Sequence, residues 1–96
     1  MKKNELAYEM DDLLTIFSRL DSKERIFEFL LDLMSEKEMI DFSRKLEVAK
    51  MLEEWISYSR IEKKTGMSSA TISKVSKALN SENLWYRNAL NILWGL

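Results

Sequence analysis

An all-α fold is predicted by three features of this 96-residue sequence. Proline is absent, glycine occurs only as Gly66 and Gly95, and apolar residues recur at helical spacing along most of the chain. Proline interrupts helix interiors and glycine weakens them, so their scarcity over this length favours helices throughout. An apolar share of 46% is enough for a globular core. The length fits a single domain, 1–96, or one subunit of an oligomer.

The elements follow in order. Residues 5–20 place Leu6, Met10, Leu13, Leu14, Phe17 and Leu20 on one stripe of an amphipathic helix. Asp21 followed by Glu24 has capping-box spacing and opens a second helix over 22–34. That helix carries Ile26, Phe27, Phe29, Leu30, Leu31, Leu33 and Met34, too many for one stripe. A helix apolar nearly all round needs cover on several sides, and a second subunit is the expected source of it. Ser35 with Glu38 repeats the capping spacing and opens a third helix, 36–55, bearing Phe42, Leu46, Ala49, Leu52 and Trp55. Ser57 is placed to cap a short helix, 58–65, that ends at Gly66, where a left-handed cap suits a residue without Cβ. Ser68 or Ser69 caps the next helix, 69–79. Ser81 caps the last, 82–94, with Leu84, Trp85, Leu90, Ile92 and Leu93. Six helices are therefore predicted.

Composition also bounds the chemistry. The chain has no cysteine and no histidine, which removes disulfides, thiol nucleophiles and imidazole bases or metal ligands. The adjacent carboxylates Asp11–Asp12 and Glu53–Glu54 point about 100° apart on a helix and do not converge on one ligand. No enzyme and no metal site is expected. No apolar run approaches the roughly 18 residues of a membrane span. The start Met-Lys-Lys-Asn, followed by Glu5 and Glu9, lacks a signal-peptide hydrophobic region. A cytoplasmic protein without a membrane partner is expected. The tryptophans Trp55, Trp85 and Trp94 lie at helical spacing among Leu and Ile, which favours core or dimer packing over a stacking platform.

The formal net charge of −1 hides an asymmetry. Residues 1–42 carry 6 basic and 11 acidic residues, a net of −5; residues 43–96 carry 9 basic and 5 acidic, a net of +4. Within 56–80 there are 5 basic residues and one acidic. A positive excess confined to one segment suits a phosphate-facing surface.

That same segment has helix-turn-helix spacing. Ile61 and Thr65 share a face of the short helix, Gly66 makes the turn, Met67 packs beneath it, and Ile72, Val75 and Leu79 form the inner face of the next helix. Thr65 is less apolar than the pattern prefers, and Glu62 stands where a small residue is usual. Ser68, Ser69, Ala70, Thr71, Ser73, Lys74 and Lys77 occupy the start and outer side of the second helix. Small side chains let a helix lie close to base edges in a major groove, and hydroxyls and lysines reach bases or phosphates. Ser57, Tyr58, Ser59, Arg60, Lys63 and Lys64 would flank the DNA backbone from the first helix. An ordinary helical corner with solvated lysines is the plain alternative. A helical module that binds a protein partner through its acidic half is the competing function.

Residues 33–80, LMSEKEMIDFSRKLEVAKMLEEWISYSRIEKKTGMSSATISKVSKALN, resemble the Trp repressor superfamily, above all its small YerC/YecD-type members. The resemblance rests on the Leu33–Arg44 entry to the third helix, on Ser57 with Gly66, and on Ala70-Thr71-Ile72 leading to Ser76 and Leu79. It implies an intertwined all-helical homodimer with two DNA-reading heads, acting as a transcriptional regulator. In that picture 57–80 is the reading head, while 1–56 and 81–96 form the dimerisation core. Ser69, Ala70 and Ser73 would then face bases. In the Trp repressor the corepressor tryptophan lies between two arginines, so the resemblance places an effector pocket at Arg44 and Lys74. Arg44 matches the first arginine. Lys74 replaces the second and cannot stack on an indole as a planar guanidinium does. Val75 stands where the repressor has glycine, and Met34 and Ala78 replace hydroxyl residues. No cofactor, and in particular no tryptophan binding, is expected.

Overall fold

The computed structural model describes residues 1–96 and is helical throughout, with no strand. It contains seven helices: α1 Lys3–Glu9, α2 Asp11–Arg19, α3 Lys23–Leu33, α4 Glu36–Glu53, α5 Tyr58–Thr65, α6 Ser69–Leu79 and α7 Trp85–Trp94. No helix is long and apolar enough to cross a membrane. The chain divides into two compact units, residues 1–36 and 37–96.

The count differs from the predicted six because the 5–20 stripe is broken at Met10. Its backbone relaxes to φ −94°, ψ 5°, and α2 starts at the next residue. Helical hydrogen bonds continue on either side: Met10 N–H donates to Leu6 O at 3.0 Å, and Leu14 N–H to Met10 O at 2.9 Å. No glycine or proline marks the break. Asp11 and Asp12 occupy the first turn of α2, where carboxylates offset the positive helix end.

In the first unit, Phe17 and Phe29 pack as a tilted pair with centroids 5.6 Å apart. The cap of α3 is Ser22, whose Oγ accepts from Arg25 N–H at 3.2 Å. The expected capping residue, Asp21, instead pairs with the Arg25 guanidinium at 3.2 Å. No residue of 1–36 is buried, and Leu6, Leu14, Phe27, Leu31 and Leu33 are each about half exposed. Three helices carrying this much apolar surface have no closed core of their own.

The second unit does have one. Val48, Ala49 and Met51 from α4, Ile61 from α5, Ile72, Val75 and Leu79 from α6, and Leu90 from α7 are buried together. Leu52, Ile56, Met67 and Tyr86 pack against this cluster. The helix-turn-helix is thus seated on α4 and on α7.

Two boundaries in this unit differ from prediction. The third predicted helix reached 55, but α4 stops at Glu53 and the chain turns through Trp55 at φ 60°. Trp55 N–H donates to Leu52 O and Ile56 N–H to Met51 O, each at 3.1 Å, which is the Schellman pattern. Glycine usually fills its left-handed position; a residue with Cβ pays about 1–2 kcal/mol there. Trp55 is 94% exposed in the single chain, and so is not a core residue. The last helix starts at Trp85, not at 82. Ser81 does not cap it: its hydroxyl donates back to Ala78 O at 2.7 Å and closes α6.

A candidate nucleic-acid interface

Both helices of the motif are started and stopped by local chemistry. Ser57 Oγ accepts from Arg60 N–H at 3.4 Å and caps α5. Ser68 Oγ accepts from Thr71 N–H at 3.2 Å and caps α6; its hydroxyl also donates to Thr71 Oγ1 at 3.2 Å. Between them Gly66 sits at φ 72°, and its N–H donates to Glu62 O at 2.9 Å. A Cβ at Gly66 would touch nothing within 4 Å, so the backbone angle alone selects glycine here.

Thr65 resolves the departure noted in the sequence. It is 5% exposed; its hydroxyl donates to Ile61 O at 2.7 Å and accepts from Met67 N–H at 3.2 Å. One side chain thereby ties the last turn of α5 to the first residue after the turn. Thr65→Val keeps the shape and strands the Met67 N–H, so a loss of about 1–2 kcal/mol is expected in chemical denaturation. Thr65→Ser should retain most of the stability. Equal stability of the valine variant and the parent would show that this bond contributes nothing.

The residues read as DNA-facing fall on the outside of the motif. Ser57 at the cap and Tyr58, Ser59, Arg60, Lys63 and Lys64 on α5 are exposed, as are Ser68 at the cap and Ser69, Ala70, Lys74 and Lys77 on α6; Thr71 and Ser73 are half-buried. Ser69, Ser73 and Lys77 follow one another at i, i+4 and i+8, on the side of α6 away from Ile72, Val75 and Leu79. The Ser57 and Ser68 hydroxyls serve as caps and Thr71 Oγ1 accepts from Ser68, which leaves Ser69, Ala70 and Ser73 as the uncommitted small residues in the first half of α6.

Charge is arranged to match. The first turns of α1, α2 and α3 hold Glu5, Asp11 with Asp12, and Glu24. The first turns of α5, α6 and α7 hold no acid. Their positive ends are not offset internally and favour an outside anion. Lys63, Lys64 and Lys77 also lie in last turns, where they offset the negative helix end.

Of the two expected effector residues, one lines a cleft beside α6. A cleft of about 210 Å³ is lined by Lys45, Thr71, Lys74, Val75, Ala78 and Tyr86. Lys74 borders it, whereas Arg44 is exposed and does not. Lys45, its neighbour, lies on the cleft and 5.5 Å from the Phe42 ring centroid.

One residue that sequence reasoning passed over organises the far end of α6. Arg87 Nε donates to Leu79 O at 3.2 Å, its Nη2 to Asn80 Oδ1 at 3.2 Å, and its Nη1 meets Glu53 Oε1 at 2.7 Å. It thus joins α7 to the ends of α4 and α6. Nothing local in the sequence pairs residues 53 and 87. Beside this network runs a groove of about 320 Å³, with Leu52, Ile56 and Leu79 on its lining and Trp55 and Tyr58 among its members.

Comparison with known proteins agrees with this geometry. Residues 8–93 match the Trp repressor protein family. The chain is 40% identical over 83 residues to the uncharacterized protein YerC of Bacillus subtilis strain 168, covering 86% of this chain and 80% of that one. A crystal structure from Staphylococcus aureus, described as a candidate Trp repressor, superposes with a TM-score of 0.86 at 32% identity, over 97% of this chain and 94% of the other. A Trp-repressor-like protein from Eubacterium eligens ATCC 27750 superposes with a TM-score of 0.88 at 34% identity, over 98% of each. With its helix-turn-helix built as described and its match running over most of its length, the chain belongs to the Trp repressor family.

Proposed function

We propose that this protein is a sequence-specific regulator of transcription, a repressor, that binds double-stranded DNA as a homodimer. One observation carries the reading: the exposed, small-residue start of α6 has no acid in its first turn and is bordered by Lys74 and Lys77, with Arg60, Lys63 and Lys64 on α5. Helix α6 enters the major groove, and Ser69, Ala70 and Ser73 meet base edges. Such short side chains form few bidentate bonds, so bridging water and duplex shape carry much of the discrimination. The cations and Tyr58 address phosphates.

The homodimer reading rests on the first unit. Apolar side chains with no closed core in one chain are what an intertwined partner would cover. Two heads then lie about 34–36 Å apart, one helical turn, and a near-palindromic site is expected.

Tryptophan is not the effector in this reading. The cleft beside α6 is the space such a ligand would enter. Branched Val75 forms part of its wall, and Lys74 offers no planar face to an indole.

Selection of bound duplexes from a random pool tests the reading. Enrichment of a two-fold-symmetric site with one-turn half-site spacing is expected. Millimolar affinity for any duplex at about 50 mM salt, where a basic head binds tightly, would sink it. An acidic-half binder of proteins would then be favoured.

A further inference from the structure

Trp55 is held in an unfavourable backbone conformation with its side chain in solvent. A Schellman turn prefers glycine, yet the largest side chain stands there, at φ 60° and 94% exposed. Strain of this kind persists only where the surrounding structure holds it and clusters at functional sites; Leu84, at φ 55°, is the other such residue. The place of Trp55 in the fold suggests its function. Trp55 lies two residues before Ser57, the cap of α5, and α5 is the helix that crosses the DNA backbone in this motif. Tyr58, 42% exposed, belongs to the same groove as Trp55. Two aromatic rings thus stand at the end of α5 whose first turn holds no acid.

We infer that Trp55 is a DNA-contact residue, packing its indole on the sugar–phosphate backbone that flanks each half-site. The inference rests on the DNA-binding reading above. The ring offers an apolar face to a deoxyribose and its Nε1–H to a phosphate oxygen. Unlike the lysines, it adds no charge, so it contributes contact without releasing a counterion. With Tyr58 beside it, it forms an aromatic edge to an otherwise electrostatic footprint.

Trp55→Gly separates this role from a structural one, because glycine suits the left-handed turn. The variant should unfold at the same temperature as the parent or higher. Its affinity for the duplex selected by the parent protein should fall about tenfold, as for loss of one aromatic contact. The slope of log affinity against log salt should stay unchanged, since no phosphate charge is lost. Trp55→Phe, which keeps a ring and loses the N–H, should fall between the two. Glycine-variant affinity within twofold of the parent overturns the inference and leaves the DNA reading standing. So does a variant that loses dimer yet binds equally well per dimer, which would give the ring to a subunit interface. If the parent itself binds no duplex, both fail together.

Discussion

Ile72→Ala is expected to destabilise the 37–96 unit by about 3 kcal/mol, within the usual range for a large-to-small change at a fully buried site. Ile72 is 0% exposed and belongs to one cluster with Val48, Ile61 and Leu90, drawn from three other helices. Truncation leaves a void inside this cluster. For a domain of this size the melting temperature should drop by about 10–20 °C, read by circular dichroism. Ser73→Ala, one position along and on the outer side, should leave melting nearly unchanged. DNA binding should fall with Ile72→Ala because its inner face fixes where Ser69, Ala70 and Ser73 point. A melting shift below about 2 °C would mean that α6 is not seated as described.

The second large effect is electrostatic. Changing both Lys74 and Lys77 to glutamine removes two exposed cations from the outer side of α6. Each homodimer then loses four cations, two per head, so if each meets a phosphate the slope of log affinity against log salt should become shallower by about 3–4 units. Near 0.1 M salt that corresponds to roughly three to four orders of magnitude in affinity. The loss should be uniform across duplex sequences, since phosphates carry no base identity. Fluorescence anisotropy over a salt series reads both quantities. An unchanged slope would relegate the two lysines to solvated surface. A loss confined to one sequence would make them base contacts instead.

The parts of the fold that were legible from sequence are those specified by neighbours in the chain. Ser57 as a cap, Gly66 as a left-handed turn, and the inward set Ile61, Ile72, Val75 and Leu79 each follow from spacing within a few residues, and each stands in the structure. The misread elements had an ambiguous or distant cause. Serine bonds forwards as a cap and backwards to a carbonyl with equal ease, and Ser81 took the backward bond. Ser22 and Asp21 are adjacent candidates for one cap, and hydrophobic periodicity does not choose between them. Met10 carries the same apolar rhythm as its neighbours while its backbone departs from helix. Trp55, expected in core or dimer packing, lies outside the single-chain core because its spacing continues the α4 stripe beyond the end of the helix. For the site, the charge division along the chain was readable as composition. The Arg87–Glu53 pairing joins residues far apart in sequence and leaves no local trace.

That pairing bears on how the reading head could be re-engineered. The 57–80 segment is not a portable cassette. Its core is completed by Val48, Ala49, Met51 and Leu90, and its last helix is tethered at the Leu79 carbonyl by Arg87. Moved alone to another scaffold, the segment would expose its inner face and lose its tether. Under the proposed DNA-binding function, specificity is therefore best retargeted in place, by exchanging side chains at positions 69, 70 and 73, while the surrounding helices stay as the jig that holds them.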